Sequence, residues 1–225
     1  MTIIRNIPLP LTETDIIRRL EMRESPHIRE RIVTIIRELM QHQNDYLKPA
    51  VAYEIYPREA ITSEYLKLES GRIKGRSLSA ILSEAAEMAA VACTIGNSLE
   101  QTVEAYFRSG DSLKGLLLDG MGSAAVDILA REAGRVIQQE VSARGYDISG
   151  PLSPGMHGWN IKQLPNLLRL TPANQIGISL TIAGMLQPRK SVVMLLGIGH
   201  QLCQWDQVES CESCNLKQTC RHRVR

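Results

Sequence analysis

Pro151-Leu152-Ser153-Pro154-Gly155-Met156-His157-Gly158-Trp159 is a turn built from proline and glycine. About 25 residues later comes Leu180-Thr181-Ile182-Ala183-Gly184-Met185-Leu186-Gln187-Pro188, and then the apolar run Ser191 to Gly199. The order is a tight turn, a short helix and a buried strand. Proline fixes φ, and glycine opens backbone conformations closed to other residues. With no side chain at Gly155 or Gly158, a flat ligand can approach the main chain there. Exposed N–H and C=O groups can then read an adenine or an amino-acid group. Most Pro/Gly turns only turn the chain, so the segments around this one carry the reading.

Upstream, Met88 to Ile95 is a continuous apolar run with β-branched members, bounded by Gly96. It reads as a buried central strand, with Cys93 as a small core residue. Asn97 or Ser98 caps a helix carrying Leu99, Val103 and Phe107. After Gly110-Asp111 a long helix spans about Ser112 to Ala143, its inner face drawn through Leu116, Leu117, Ala124, Ile128, Ala133 and Val136. Gly120, Gly122, Ser123, Ala124 and Ala125 cluster inside it. Glycine in a helix interior costs about 1 kcal/mol relative to alanine, so the cluster signals close approach, either of another element or of a ligand.

The N-terminal region is more local in character. Pro8 and Pro10 keep residues 1–11 extended. Thr12 and Thr14 can cap a helix from Glu13 that ends at Ser25-Pro26. Ile28, Ile32, Ile35, Ile36, Leu39 and Met40 then mark an amphipathic helix, packed on the domain or offered to a partner. Val51 to Tyr56 alternates as a strand that Pro57 should end, and Tyr65-Leu66-Lys67-Leu68 forms another. Ser77 to Leu82 reads as a brief helix, and Ile148 opens a short extended piece. Asn160 can cap a helix Ile161–Leu170, with Pro165 kinking it or marking a late start. Ile176 to Ile182 and Ser191 to Ile198 read as the last two strands. Strands and helices without regular βα alternation predict an α+β fold, a mixed or antiparallel sheet flanked by helices. The expected organisation is an N-terminal helical segment 1–48, an α+β core 49–200 and a cysteine-rich tail 201–225.

Composition narrows the function classes. Of the 225 residues, 44% are apolar but only 4% aromatic, so the core is aliphatic. The formal net charge of +2 and the absence of a long basic block argue against nucleic acid as a partner. No run of roughly 18 apolar residues offers a membrane span, and no cleavable leader is visible. Four of the five cysteines fall after residue 200, unlike a secreted disulfide scaffold, so a soluble cytoplasmic protein is expected. No Gly-x-Ser-x-Gly elbow, phosphate loop or His-Glu-x-x-His helix points to an independent hydrolase. The pairs Glu84/Glu87 and Glu100/Glu104 have helical spacing that solvated faces explain.

The ordered motifs resemble the C-terminal reactivation domain of cobalamin-dependent methionine synthase. That domain has an Arg-x-x-Pro-Gly-Tyr turn, a helix, a strand with Leu-Thr-Glu, a Met-x-x-Pro turn and a Ser-Val strand. Pro154 and Gly155 match the first element, and Leu180 and Thr181 the second. Met185 and Pro188 match the third, and Ser191 and Val192 the fourth. The family's arginine falls on Pro151, its tyrosine on Met156 and its glutamate on Ile182; Arg144 and Arg169 are the nearby substitutes. An arginine absent from a carboxylate clamp removes a bidentate contact that proline cannot replace.

The resemblance implies an activation-domain-like fold over roughly residues 50–200. It also implies S-adenosylmethionine at Ser153, Pro154, Gly155 and Met156, and His157 and Trp159 as residues facing a corrinoid. Surface hydrogen bonding for His157 and core packing for Trp159 are the plainer alternatives. Cobalamin would be carried by a partner, a corrinoid protein or corrinoid-dependent methyltransferase, served by an electron donor. The protein would support reductive methylation of that corrinoid. The alternative is a non-enzymatic metal-binding adaptor of the same system that has lost S-adenosylmethionine.

The tail carries Cys203, Cys211, Cys214 and Cys220 in a C-x7-C-x2-C-x5-C pattern. Four thiolates around a Cys-x-x-Cys suit tetrahedral zinc or an iron–sulfur cluster. Reduced cysteines or one redox disulfide in a mobile tail are the other readings. A cluster would fit the low-potential electron that cobalt reduction needs; zinc would staple a segment with no core of its own.

Overall fold

The computed structural model describes the chain except residues 21–25, 63, 69–70, 76–77, 79–80, 157–158, 203–217 and 220–225. Its elements run β1 (Thr2–Arg5), α1 (Glu13–Leu20), α2 (Pro26–Gln41), α3 (Gln43–Tyr46), β2 (Ala50–Ile61), β3 (Tyr65–Leu68), β4 (Gly71–Lys74) and β5 (Ala85–Thr94). Next come α4 (Ser98–Arg108), α5 (Ser112–Ser142) and β6 (Asp147–Ile148). A 3-10 turn Ile161–Gln163 leads into α6 (Leu164–Arg169), and a second, Ala173–Ile176, precedes β7 (Ser179–Leu180), β8 (Leu186–Gln187) and β9 (Ser191–Gly199). The expected helix at Ser77 falls largely outside the described residues.

Among the described residues the main sheet has seven strands in the order β4-β3-β2-β5-β9-β6, with β1 also paired to β2. Every pairing among the described residues is antiparallel, which decides between mixed and antiparallel for this sheet. The fold is α+β, an antiparallel sheet flanked by helices. Alternation sorts the central strands onto two cores. Val51, Tyr53, Ala89, Val91, Cys93, Met194, Leu196 and Ile198 face the helices. Ala50, Ala52, Met88, Ala90, Ala92, Val193 and Leu195 face the layer that holds Leu152, Trp159, Leu167, Leu170 and Ile178. A strand covered on both sides needs apolar residues at every position, which is why Met88–Ile95 reads as a continuous run.

Residues 1–48 share the helix-side core: Ile16 of α1 and Ile32, Ile36 and Leu39 of α2 are buried in it. Thr12 is the cap of α1. Its Oγ1 donates to Asp15 Oδ2 at 2.6 Å, and the Asp15 N–H returns to Thr12 Oγ1 at 3.3 Å. The glycines of α5 mark close packing. A Cβ on Gly120 would lie 2.4 Å from Leu20 Cδ2, and one on Gly122 2.8 Å from Leu99 Cδ2.

Several expectations are corrected. Pro57 does not end β2; it pairs opposite Glu87. It sits where the other neighbour of β2 changes: β1 pairs with β2 as far as Tyr53 and β3 from Arg58, and proline is tolerated where pairing is interrupted. The inner face of α5 is turned slightly from the expected one. Leu116 is 48% exposed and Val136 half-buried, while Leu117, Leu118, Met121 and Ile137 are buried. Ile176–Ile182 is not one strand. The Ala173–Ile176 turn ends at Gly177 (φ +76°), and only Ser179–Leu180 pairs, with Leu186–Gln187.

Candidate functional site

The outer edge of β9 positions the Pro/Gly turn. Leu152 and Leu195 exchange both backbone hydrogen bonds, at 3.0 and 2.8 Å. Upstream, the Ser149 N–H donates to the Gly197 carbonyl at 2.9 Å, and Ser149 Oγ accepts from the Gly197 N–H at 2.9 Å. Downstream, the Ser153 hydroxyl donates to the Val193 carbonyl at 2.9 Å. Residues 149–153 thus run along β9 as an irregular strand whose serine side chains replace some ladder bonds. Sequence reading missed this role for the two serines, which only the register against β9 makes visible.

The turn closes on itself. The Gly155 N–H donates to the Trp159 carbonyl at 2.7 Å, and the Met156 N–H to the Ser153 carbonyl at 3.0 Å. The Trp159 N–H donates to the Met156 carbonyl at 2.8 Å. The amides expected to be free for a ligand are therefore spent inside the turn. Pro154 is buried and Met156 half-buried, whereas Gly155 is exposed with φ +100°. That backbone conformation favours glycine, and it leaves bare main chain at the surface. Beside it stands Ile161, 59% exposed, at the start of the 3-10 turn. Asn160 caps that turn, its Oδ1 accepting from the Lys162 N–H at 2.9 Å.

Trp159 does not face outward. It is 1% exposed and belongs to the core beneath the turn, so it has no surface to offer a corrinoid on another protein. Its indole edge meets Gly75, where a Cβ would lie 3.2 Å from Cδ1, and its buried Nε1 has no hydrogen-bond partner among the described residues. His157 and the cysteines Cys203, Cys211, Cys214 and Cys220 lie outside the described residues.

The positions that depart from the motif pattern are also placed. Pro151 is exposed, and Ile182 stands in solvent at the tip of the β7–β8 hairpin with Met185. Arg144 is taken up elsewhere: Nη1 lies 2.8 Å from Glu87 Oε1, and the guanidinium sits over the Tyr146 ring. The neighbouring Glu87 carboxylate raises the arginine pKa. Arg169 is exposed in the last turn of α6.

A polar network at the start of β9 went unread in the sequence. Lys190 Nζ lies 2.9 Å from Asp119 Oδ2 and 2.8 Å from Ser123 Oγ. The Lys190 N–H donates to Glu100 Oε1 at 3.0 Å, and Arg189 lies 3.5 Å from Glu100 Oε2. This network ties the hairpin exit to α4 and α5. It explains Ser123 in the small-residue cluster and gives Glu100 a role beyond a solvated face. Among the described residues there is no group of three or more His, Cys, Asp or Glu that could hold a metal. Among them, too, no helix is long and apolar enough to cross a membrane.

No family model and no characterised protein sequence matches this chain. Among solved structures, it is similar to the MetH reactivation domain, crystallised with AdoHcy bound. The TM-score is 0.60 at 13% identity, over 87% of this chain and 74% of that one. The likeness is one of fold.

Proposed function

We propose that this chain is a relative of the reactivation domain of cobalamin-dependent methionine synthase, supporting reductive methylation of a corrinoid held by a partner methyltransferase. The observation that carries the reading is the extent of the fold likeness, 87% of the chain, to a domain whose structure holds AdoHcy. The exposed main chain at Gly155 adds to it, because position 155 has no side chain to keep a ligand from the backbone. S-adenosylmethionine would supply the methyl group and leave as S-adenosylhomocysteine. The cobalt chemistry belongs to the partner's corrinoid, and the protein's share is to bind and orient. Ser153 and Pro154 hold the turn in place, while Gly155 and Met156 are its ligand-facing part.

A second reading is favoured by one observation: the amides of Gly155 and Met156 are engaged within the turn. A protein that has kept the fold and lost the ligand would act as an adaptor of the same cytoplasmic system. In either reading Cys203, Cys211, Cys214 and Cys220 bind zinc or an iron–sulfur cluster, the latter passing on an electron from a donor. Metal analysis after anaerobic purification separates them, because colourless protein with stoichiometric zinc and no iron excludes the cluster.

Calorimetric titration of S-adenosylmethionine and S-adenosylhomocysteine into that protein tests the main reading, with Gly155→Trp as control. Saturable binding lost in the variant supports it. No binding at millimolar ligand sinks it and leaves the adaptor, whose association with a corrinoid protein is then measured by pull-down.

A further inference from the structure

We infer that Ile161 is the apolar contact for the nucleoside part of the ligand at this turn, an inference that rests on the reading proposed above. Three observations converge on it. Gly155 presents bare main chain to solvent at φ +100°. Ile161 Cδ1 lies 3.5 Å from where a Gly155 Cβ would be, so the isoleucine flanks the space that the missing side chain leaves. Ile161 is nevertheless 59% exposed, although its neighbours Leu164 and Leu168 pack against the core below the sheet.

The backbone that bears this side chain is held in place. The Asn160 cap and the Gln163 N–H to Asn160 carbonyl bond, 2.9 Å, fix the turn that bears it. A single exposed isoleucine is ordinary; one fixed beside exposed glycine main chain makes a small apolar corner with one polar wall. A flat heterocycle fits such a corner, with one face on the isoleucine and its polar edge toward main-chain carbonyls. The charged amino-acid end of S-adenosylhomocysteine gains nothing from it. Ile161 is therefore assigned to nucleoside binding and not to the carboxylate or amine.

The test titrates three probes into the wild type, Ile161→Ala and Ile161→Gln. S-adenosylhomocysteine carries both ends, 5′-methylthioadenosine only the nucleoside, and methionine only the amino acid. Ile161 is exposed, so both variants should melt as the wild type does. Losing one such apolar contact weakens binding roughly tenfold. The expected result is that loss, equal for S-adenosylhomocysteine and 5′-methylthioadenosine, with methionine unaffected. Wild-type binding with both variants within about twofold of it overturns the assignment of Ile161 alone. A loss for methionine as large as that for the nucleosides also overturns it. Folded wild type that binds no S-adenosylhomocysteine overturns the ligand reading, and this assignment with it.

Discussion

The Ser153 hydroxyl reaches across to the Val193 carbonyl at 2.9 Å, and this bond seats the Pro/Gly turn on the edge of β9. It stands where a backbone ladder would otherwise continue past the Leu152–Leu195 bridge. Ser153→Ala removes the donor and leaves the Val193 carbonyl to water. The expected cost is about 1 kcal/mol of stability, the net worth of an ordinary hydrogen bond. Chemical denaturation gives that number. Under the proposed reading, S-adenosylhomocysteine affinity should fall by more than stability alone implies, because the turn bearing Gly155 loses its anchor. An affinity equal to wild type would show that the turn holds its shape without the serine.

Trp159 tests whether the layer beneath the turn is packing or polar. Its Nε1 has no partner among the described residues, so the indole meets them through volume and shape and not through a hydrogen bond. Trp159→Phe removes an unsatisfied buried donor, which offsets part of the lost volume. Trp159→Ala leaves a cavity and should cost about 3–5 kcal/mol. The phenylalanine variant should lose well under half of that. Thermal melts of the two variants compare the costs directly, and equal losses would mean that the indole N–H is satisfied in solution.

Much of the architecture was legible because burial on both faces leaves a plain sequence signal. Met88–Ile95 and Ser191–Ile198 have no polar face, and they form the neighbouring strands β5 and β9. The long helix was legible from Ser112 to its C-terminus, and its glycines correctly signalled close packing. The layer carrying the turn was not. Between residues 149 and 188 short 3-10 turns, side-chain hydrogen bonds and a two-stranded hairpin replace long regular elements. Ile176–Ile182 has apolar residues at strand-like spacing, but Gly177 in the left-handed region breaks the strand. The turn itself was legible as exposed glycine backbone, whereas the spending of its amides depends on the return contact from Trp159. Ile161 carried no signal at all, since its meaning comes from standing next to Gly155 in space.

Cys93 should be chemically silent. It is a free thiol, fully buried in β5, and burial pushes its pKa up from the ordinary cysteine value. Only the thiolate reacts readily, and here it is both disfavoured and shielded. In the native protein an alkylating reagent should label Cys93 only on the timescale of unfolding. Mass spectrometry of the Cys93 peptide, before and after denaturant, checks this separately from the tail. Rapid native labelling would show that β5 opens more readily than its central position implies.

Tyr53 provides a pH signature for the contact between the sheet and α5. Its ring is 3% exposed, and its hydroxyl donates to Glu140. Burial first, and then the hydrogen bond to that carboxylate, push the tyrosine pKa from the usual 10.0 up to about 12. The neutral form is favoured in the folded state, so the stabilisation is fully present below the unfolded pKa, near 10. As pH rises from about 10 to about 12 the unfolded chain ionises first and the stabilisation is lost, by about 3 kcal/mol at most. Tyr53→Phe cannot ionise. It should cost roughly 1 kcal/mol at neutral pH through the lost bond. Its stability should then fall less steeply than that of the wild type across the alkaline window. Denaturation midpoints of both proteins at a series of pH values give the comparison, and parallel curves would show that Tyr53 does not ionise preferentially on unfolding.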